Sequence, residues 1–399
     1  MAQSDQRPAY GRRYIIFLLV FLGGLSAFGP FITDFYLPTL PAMADIFKTN
    51  ASMVQLSLTA GMIGLAIGQI VFGPISDKYG RRPVLEVSLL IFIAASLGCI
   101  FAPSIEFFIA CRVFQGLGGS GGIVMSRSIA TDCYSGRELA KTLAIVGAIN
   151  GVAPVAAPVI GGLVARFTSW QGIFAILMAI GIVLLLMCLP FRESLAYENR
   201  VRGGFGTLAK RFGALFKIKW FTLYVLMFGF MYGVLFSYIS SASFIVQSHF
   251  GYSELTFALV FAVNAAASGI GSALCMKFKK MGNAALFCVV TVSFFALLQL
   301  IFTLLFDSFI LYEGVTFMIL FFLGFIFPSG TALCMTEGRQ SIGAASAIVG
   351  ASSFVFGGIV SPLVGLGDMR LTSSVVILLC SLIATAIAYF GAKRKDAKV

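Results

Sequence analysis

The stretch GPISDKYGRRPVL, residues 73–85, decides how this chain is read. It gathers Asp77, Lys78, Arg81 and Arg82 between two long apolar runs, residues 54–72 and 84–101. Gly73 and Gly80 supply backbone angles that other residues avoid, and Pro83 suits the first turn of a following helix. The stretch therefore predicts a tight charged turn between two helices. Apolar runs of this length match the hydrocarbon core of a bilayer, so the turn lies at a membrane surface.

Working outward, the same pattern repeats along the whole chain. Of its 399 residues 59% are hydrophobic and only 11% charged, against about 45–50% and about 25% in soluble domains. The bilayer must serve as solvent for that much apolar surface. The runs are continuously apolar rather than alternating, which excludes barrel strands. Twelve spans are expected, at residues 14–38, 54–72, 84–101, 105–130, 139–164, 172–190, 220–246, 253–276, 284–305, 309–335, 345–364 and 372–390. One long polar interval, residues 191–219, divides them into six and six. The predicted organisation is an N-terminal bundle (1–190), a linker (191–219) and a C-terminal bundle (220–399). The first run is too long for a secretory signal core and lacks a small-x-small cleavage site, so it is read as a retained span.

Lysine and arginine set the orientation. Loops on the side of the N-terminus collect Arg12, Arg13, Lys78, Arg81, Arg82, Arg137, Lys141, the basic linker, Lys277, Lys279, Lys280, Arg339 and the C-terminal lysines. The opposite loops carry only Lys48, Arg166 and Arg370, while Arg112 and Arg127 fall inside a span. Both termini and the linker are thus expected on the cytoplasmic face. This bias, with anionic headgroups, accounts for the net charge of +12, so no nucleic-acid partner is expected. The eight cysteines show no paired spacing, and His249 is the only histidine, which argues against a metal site and against Ser-His-Asp chemistry. The run Gly116 to Gly121 spells GxGxxG but sits inside an apolar span with no preceding strand. It reads as close helix packing, as do the pairs Gly118/Gly122, Gly64/Gly68 and Gly147/Gly151.

The spacing within residues 73–85 resembles the signature G-x-x-x-D-x-x-G-R-[RK] of the major facilitator superfamily, carried here by Gly73, Asp77, Gly80, Arg81 and Arg82. Arg112, Gln115 and Gly116 resemble that superfamily's R-x-x-Q-G element. Gly147, Gly151, Pro154, Pro158, Gly161 and Gly162 look like its glycine- and proline-rich antiporter motif. TDFYLPTLP (residues 33–41), YISSASFIVQ (238–247) and GAASAIVGASSFVFGGIVSPLVG (343–365) resemble the bicyclomycin/chloramphenicol-resistance (Bcr/CflA) branch. Two departures stand out. Thr131-Asp132 replaces the arginine–aspartate pair at the end of the fourth span, and the second-half loop GSALCMKFKKMGN lacks the acid. The resemblance implies an all-α membrane protein of twelve transmembrane helices in two pseudosymmetric six-helix bundles around a cavity. It also implies a drug/proton antiporter of a bacterial inner membrane, with Arg81 pairing with Asp132 as part of a cytoplasmic gate. No cofactor beyond the coupling proton is expected, and the chain is expected to act as a monomer.

Within that frame Asp34 is the residue of interest. A carboxylate inside a span costs roughly 2.5–3.5 kcal/mol on insertion scales and usually marks a pathway or proton site. Asp34 and Arg112 fall within about one helical turn of each other in depth, so a charge pair across the cavity is expected as the proton-coupling element, with a carbonyl-satisfied structural arginine as the other reading. Phe31, Phe35, Tyr36, Gln115, Asn150, Tyr232, Tyr238 and Asn264 are the candidates to line a substrate cavity for amphipathic organic molecules. Glu106 and Glu313 are placed near outer span ends, which leaves Asp34 as the one acid expected well inside. Export of a natural metabolite or amino acid is the alternative. A membrane enzyme should cluster His, Asp or Ser at one depth, and a receptor should carry a large outer domain; the sequence has neither.

Overall fold

The computed structural model describes residues 11–200, 212–278 and 280–392. The ends of the chain and the middle of the linker lie outside them, as do the surroundings of Gly147, Asn150 and Gly151. The described residues contain helices and turns and no strand. In chain order the helices are α1 (Arg12–Ser26), α2 (Phe28–Asp34), α3 (Leu40–Ile46), α4 (Ala51–Tyr79), α5 (Arg81–Ile100), α6 (Ile105–Cys133), α7 (Gly136–Ala165) and α8 (Trp170–Met187). After the linker come α9 (Lys219–Phe244), α10 (Glu254–Cys275), α11 (Met281–Leu305), α12 (Phe309–Leu323), α13 (Ile326–Glu337), α14 (Ile342–Val364) and α15 (Met369–Ala392). Eleven segments are long and apolar enough to span a bilayer, and α7, with its apolar part at Val152–Ala165, supplies the twelfth position.

Two expected boundaries shift for physical reasons. The first apolar run is broken rather than continuous: α1 to α3 follow one another through a short turn at Ala27 and a 3-10 turn, Leu37–Thr39. Pro30, Pro38 and Pro41 each remove a backbone donor, and this chain bends where they cluster. The charged stretch at residues 73–85 is also less of a loop than its composition suggests. Gly73 is helical, Pro74 is inside α4, and the turn is the single residue Gly80 with φ +107°, a conformation only glycine adopts without strain.

The halves meet through α4 with α14 and through α7 with α10. These are the second and fifth span positions of each half, paired crosswise, which is what an approximate two-fold axis between the halves requires. Small residues set the spacing in the same way on both sides. A Cβ on Gly64 or Gly116 would run into the backbone of the facing helix in the α4–α6 pair, and one on Gly271 or Gly324 would do so in the α10–α12 pair. Without a hydrophobic driving force between helices in lipid, such backbone contact is the main source of packing energy. The GxGxxG run is therefore a packing surface.

At the end away from the linker, Asp307 ties three connections together. Arg370 donates to its Oδ1 at 2.6 Å, and His249 Nε2 lies 2.9 Å from the same oxygen. The His249 hydrogen bond first, then the charge of Arg370, hold this exposed carboxyl below its usual range. A group shifted downward adds stability above its unfolded pKa and loses it as pH falls through the folded one. Wild-type protein in detergent should therefore lose thermal stability slightly on acidification below the ordinary carboxylate range. An Asp307→Asn variant should lack that increment.

Candidate functional site

The break in the first span exposes chain groups that the neighbouring helices must satisfy. Ile32 lies in the last turn of α2, where carbonyls have no partner within the helix. Arg112, fully buried on α6, meets that need: its Nη2 donates to the Ile32 carbonyl at 2.7 Å and its Nε to the Ser57 carbonyl at 3.4 Å. Its Nη1 donates to Gln115 Oε1, and Gln115 Nε2 in turn donates to Ser96 Oγ at 2.8 Å. The guanidinium lies over the Tyr36 ring at 4.4 Å and the Phe174 ring at 5.6 Å. Tyr36 donates to Ser57 Oγ at 3.1 Å, because the serine proton goes to the Val54 carbonyl at 2.6 Å.

Asp34 ends α2 and is 3% exposed. Its Oδ1 has no hydrogen-bond partner, and no ion pair joins it to Arg112 among the described residues. The expected charge pair is thus corrected: Arg112 is engaged by carbonyls and an amide, and the buried acid is left without a cation. The surrounding rings are packing residues here. Phe35 and Tyr36 are fully buried, Phe31 lies 5.5 Å from Phe35, and Gln115 faces Ser96 inside the bundle rather than a cavity.

Two adjacent glycines of the α7 motif explain why the break is tolerated. A Cβ on Gly161 would strike the Phe35 carbonyl, so the broken span presses directly on α7. A Cβ on Gly162 would come within 2.9 Å of Ala258 Cβ on α10. The motif therefore holds the first span on one face and the opposite half on the other. Pro154 and Pro158 lie inside the same helix.

In the second half Tyr238, Asn264 and Glu313 form a cluster that sequence depth did not reveal. Asn264 is 1% exposed, and its Nδ2 donates to Tyr238 Oη at 3.0 Å and to Glu313 Oε1. Its Oδ1 is buried without a partner, and no cation pairs with Glu313 among the described residues. Glu313 lies near the start of α12, as expected from its depth, and is met there by Asn264 on α10, which also holds Tyr238 on α9. Tyr232 lies apart from this group, between Phe228 (4.8 Å) and Phe327 (5.4 Å).

At the linker end, Arg81 Nε donates to Asp132 Oδ2 at 2.9 Å, and its Nη1 to Ser76 Oγ at 2.7 Å and to Asp77 Oδ1 at 2.5 Å. Arg82 pairs with Glu86 at 2.8 Å. The start of the linker completes this knot. Glu193 accepts the backbone N–H groups of Arg81 at 2.9 Å and Arg82 at 3.1 Å, and Ser194 donates to Asp132 at 3.0 Å. A carboxylate on the first N–H groups of α5 satisfies orphan donors and the positive end of the helix dipole. Sequence reading missed Glu193, whose only signal is an acid directly after the sixth span. Glu193→Ala should lower stability by about 1 kcal/mol, with Glu193→Gln intermediate, as read from thermal unfolding in detergent.

The far end is sealed across the halves. Gln55 Nε2 donates to the Ser240 carbonyl at 3.0 Å, Gln247 Nε2 to the Pro38 carbonyl at 3.0 Å, and Ser52 to the Pro362 carbonyl at 3.4 Å. Residues from all three stretches 33–41, 238–247 and 343–365 meet in this seal. At the linker end the halves part around a cavity of about 410 Å³ whose wall includes Gln69, Asp77, Arg127, Ser128 and Ser346. Phe31, Phe35, Tyr36, Gln115, Tyr232, Tyr238 and Asn264 do not line it, because they lie within the bundles or behind the seal.

Two six-span halves, sealed at one end and parted at the other, have the architecture of a secondary transporter. The Major Facilitator Superfamily model matches residues 10–362, and the chain belongs to that family. It is 35% identical over 380 residues to the uncharacterised MFS-type transporter YdgK of Bacillus subtilis, covering 94% of each chain. It is 27% identical to the bicyclomycin resistance protein homolog of Haemophilus influenzae, over 95% of this chain and 96% of that one. Among solved structures, a bacterial homolog of the lysosomal transporter Spinster, inward-facing and unoccupied, matches with TM-score 0.73 at 18% identity over 96% of this chain and 98% of that one, a likeness of fold. The protein is a multi-pass membrane transporter of that superfamily, and not an enzyme.

Proposed function

We propose that this protein exports small amphipathic organic molecules across a bacterial inner membrane in exchange for protons, with both termini in the cytoplasm. The observation that carries the proposal is Asp34: a buried carboxyl without a cation, placed where the first span breaks and presses on α7. Ionising it in this packing would leave an unpaired charge in a low-dielectric interior, which is costly. Gaining or losing its proton therefore favours different packings of the break, and the break abuts the far-end seal through Pro38. In this scheme an outward-open state admits a proton to Asp34, and the sealed state seen here carries it inward. Substrate enters the cavity at the linker end.

Glu313 is a second carboxyl suited to the same task. With the Asn264 amide as placed, two N–H groups face a phenol and a carboxylate; turned over, its oxygen would accept from Tyr238 and from a protonated Glu313. The network fits either charge state. The test is transport in proteoliposomes driven by an imposed pH gradient, with a panel of lipophilic cations, phenicols, amino acids and aromatic acids. Gradient-driven movement of at least one drug-like compound is expected. Movement of a single metabolite and no drug would replace multidrug export with a dedicated exporter, and movement indifferent to the gradient would remove the proton.

A further inference from the structure

Arg127 is an arginine within a membrane-spanning helix, near its linker-end terminus, that no hydrogen bond or ion pair among the described residues explains. It lies on α6, about 9 Å by helical rise from the helix end at Cys133, and its side chain is exposed to the cavity at the linker end. Among the described residues it makes neither a hydrogen bond nor a salt bridge. Charged residues within spans almost always pair or line a water-filled pathway, so an unpaired one on a cavity wall points to what enters the cavity. Asp77, the acid on the same wall, does not serve as its counter-charge, because Asp77 is held by Arg81.

A second donor points to the same ligand chemistry. Gln69 on α4 lines this cavity, is 8% exposed, and leaves its Nε2 buried without a partner. The cavity thus presents a guanidinium fork with five N–H donors and an amide with two more, from adjacent helices of the first half. Behind the cavity wall, Tyr232 on α9 belongs to an aromatic group with Phe228 and Phe327. One side of the opening offers unspent donors, and the other offers small residues, Gly343, Ala344 and Ala347 on α14, with Phe212 beside them.

We propose that Arg127 and Gln69 form an anion-accepting subsite, so that the preferred substrates are amphipathic organic acids with an aromatic or aliphatic body. The proposal rests on the exporter reading for its biology but not for its test, since binding requires no gradient. A planar carboxylate matches the guanidinium fork with two parallel hydrogen bonds, and lysine reproduces only the charge. The apolar body then lies toward Phe212, Ala344 and Ala347. An anionic lipid headgroup shares the chemistry of a carboxylate and could reach the same donors from the membrane surface.

Three probes with one body and different charge separate these cases: 2-naphthoate, its methyl ester and 2-naphthylmethylammonium. Binding to the purified protein in neutral detergent is measured by calorimetry. Naphthoate should bind at least tenfold more tightly than the ester, and the ammonium compound more weakly still. Arg127→Gln should remove that preference, with thermal unfolding in detergent showing that the variant is folded; Gln69→Leu should weaken naphthoate severalfold. Arg127→Lys should restore part of the preference. Adding phosphatidylglycerol, with phosphatidylcholine as the control lipid, tests the other source. Competition that disappears in Arg127→Gln upholds the anion subsite and assigns a lipid to it, whereas the absence of competition leaves the soluble acid as its ligand. Equal affinity for acid and ester, or an acid preference that survives Arg127→Gln, overturns the proposal. Failure of gradient-driven transport with naphthoate binding intact would count against proton coupling alone.

Discussion

Asp34→Asn is expected to abolish gradient-driven accumulation of substrate while leaving exchange of labelled for unlabelled substrate in place. The side chain keeps its size and loses only its ability to carry a proton, so the packing around Phe31 and Phe35 is preserved. A membrane potential of about 100 mV acting on one charge supplies roughly 2.3 kcal/mol, which corresponds to about a fiftyfold concentration ratio. The variant should lose a ratio of that order, and its exchange rate should lose its dependence on pH. Glu313→Gln is the companion measurement. If Asp34 alone couples, this second variant keeps accumulation and changes only the pH range of transport. An Asp34→Asn protein that still concentrates substrate to the wild-type level would sink the Asp34 scheme and move the proton site to Glu313.

The difference between these two acids shows what the sequence can and cannot convey. Span number and the charge asymmetry of the loops are legible because the bilayer imposes them residue by residue: apolar length in one case, lysine and arginine placement in the other. Depth along a span is legible too, which is why Asp34 and Arg112 were placed at similar levels. The face a residue presents is not. Glu313 has the depth of an interfacial residue but is met by Asn264 and Tyr238 from two other helices. Near-uniform apolarity removes the amphipathic stripe that would reveal a helix face in a soluble protein. The break after Asp34 was hidden for a related reason. TDFYLPTLP reads as one apolar run, and hydropathy does not record that its prolines free carbonyls for an arginine to satisfy. Glu193 was invisible because its role depends on the linker folding back to the N-terminus of α5.

That misreading of Arg112 leads to the other large effect. Arg112→Met should destabilise the N-terminal bundle by about 3–5 kcal/mol, comparable to removing one side of a buried ionic arrangement. The methionine fills part of the volume, but the Ile32 and Ser57 carbonyls and Gln115 Oε1 each lose a donor. A hydrogen bond to a charged group contributes about 1.5–3 kcal/mol, and a buried polar atom left unmet adds its own cost. Arg112→Lys separates the two roles considered for this residue. If Arg112 acted on Asp34 through its charge, lysine would preserve coupling. If it acts as a brace for the broken span, lysine should fail, because one ammonium cannot reach acceptors on α2, α4 and α6 in the geometry the planar fork fits. The brace is also sterically matched: a Cβ on Gly61 would lie 2.9 Å from Arg112 Nη2, so Gly61→Ala should show a smaller loss in the same direction. Thermal unfolding in detergent, read beside exchange transport in liposomes, decides between them. Arg112→Lys with near wild-type stability and altered pH dependence of exchange would return Arg112 to the coupling machinery, whereas lost stability with unaltered pH dependence in the surviving fraction keeps it as the support on which Asp34 is presented.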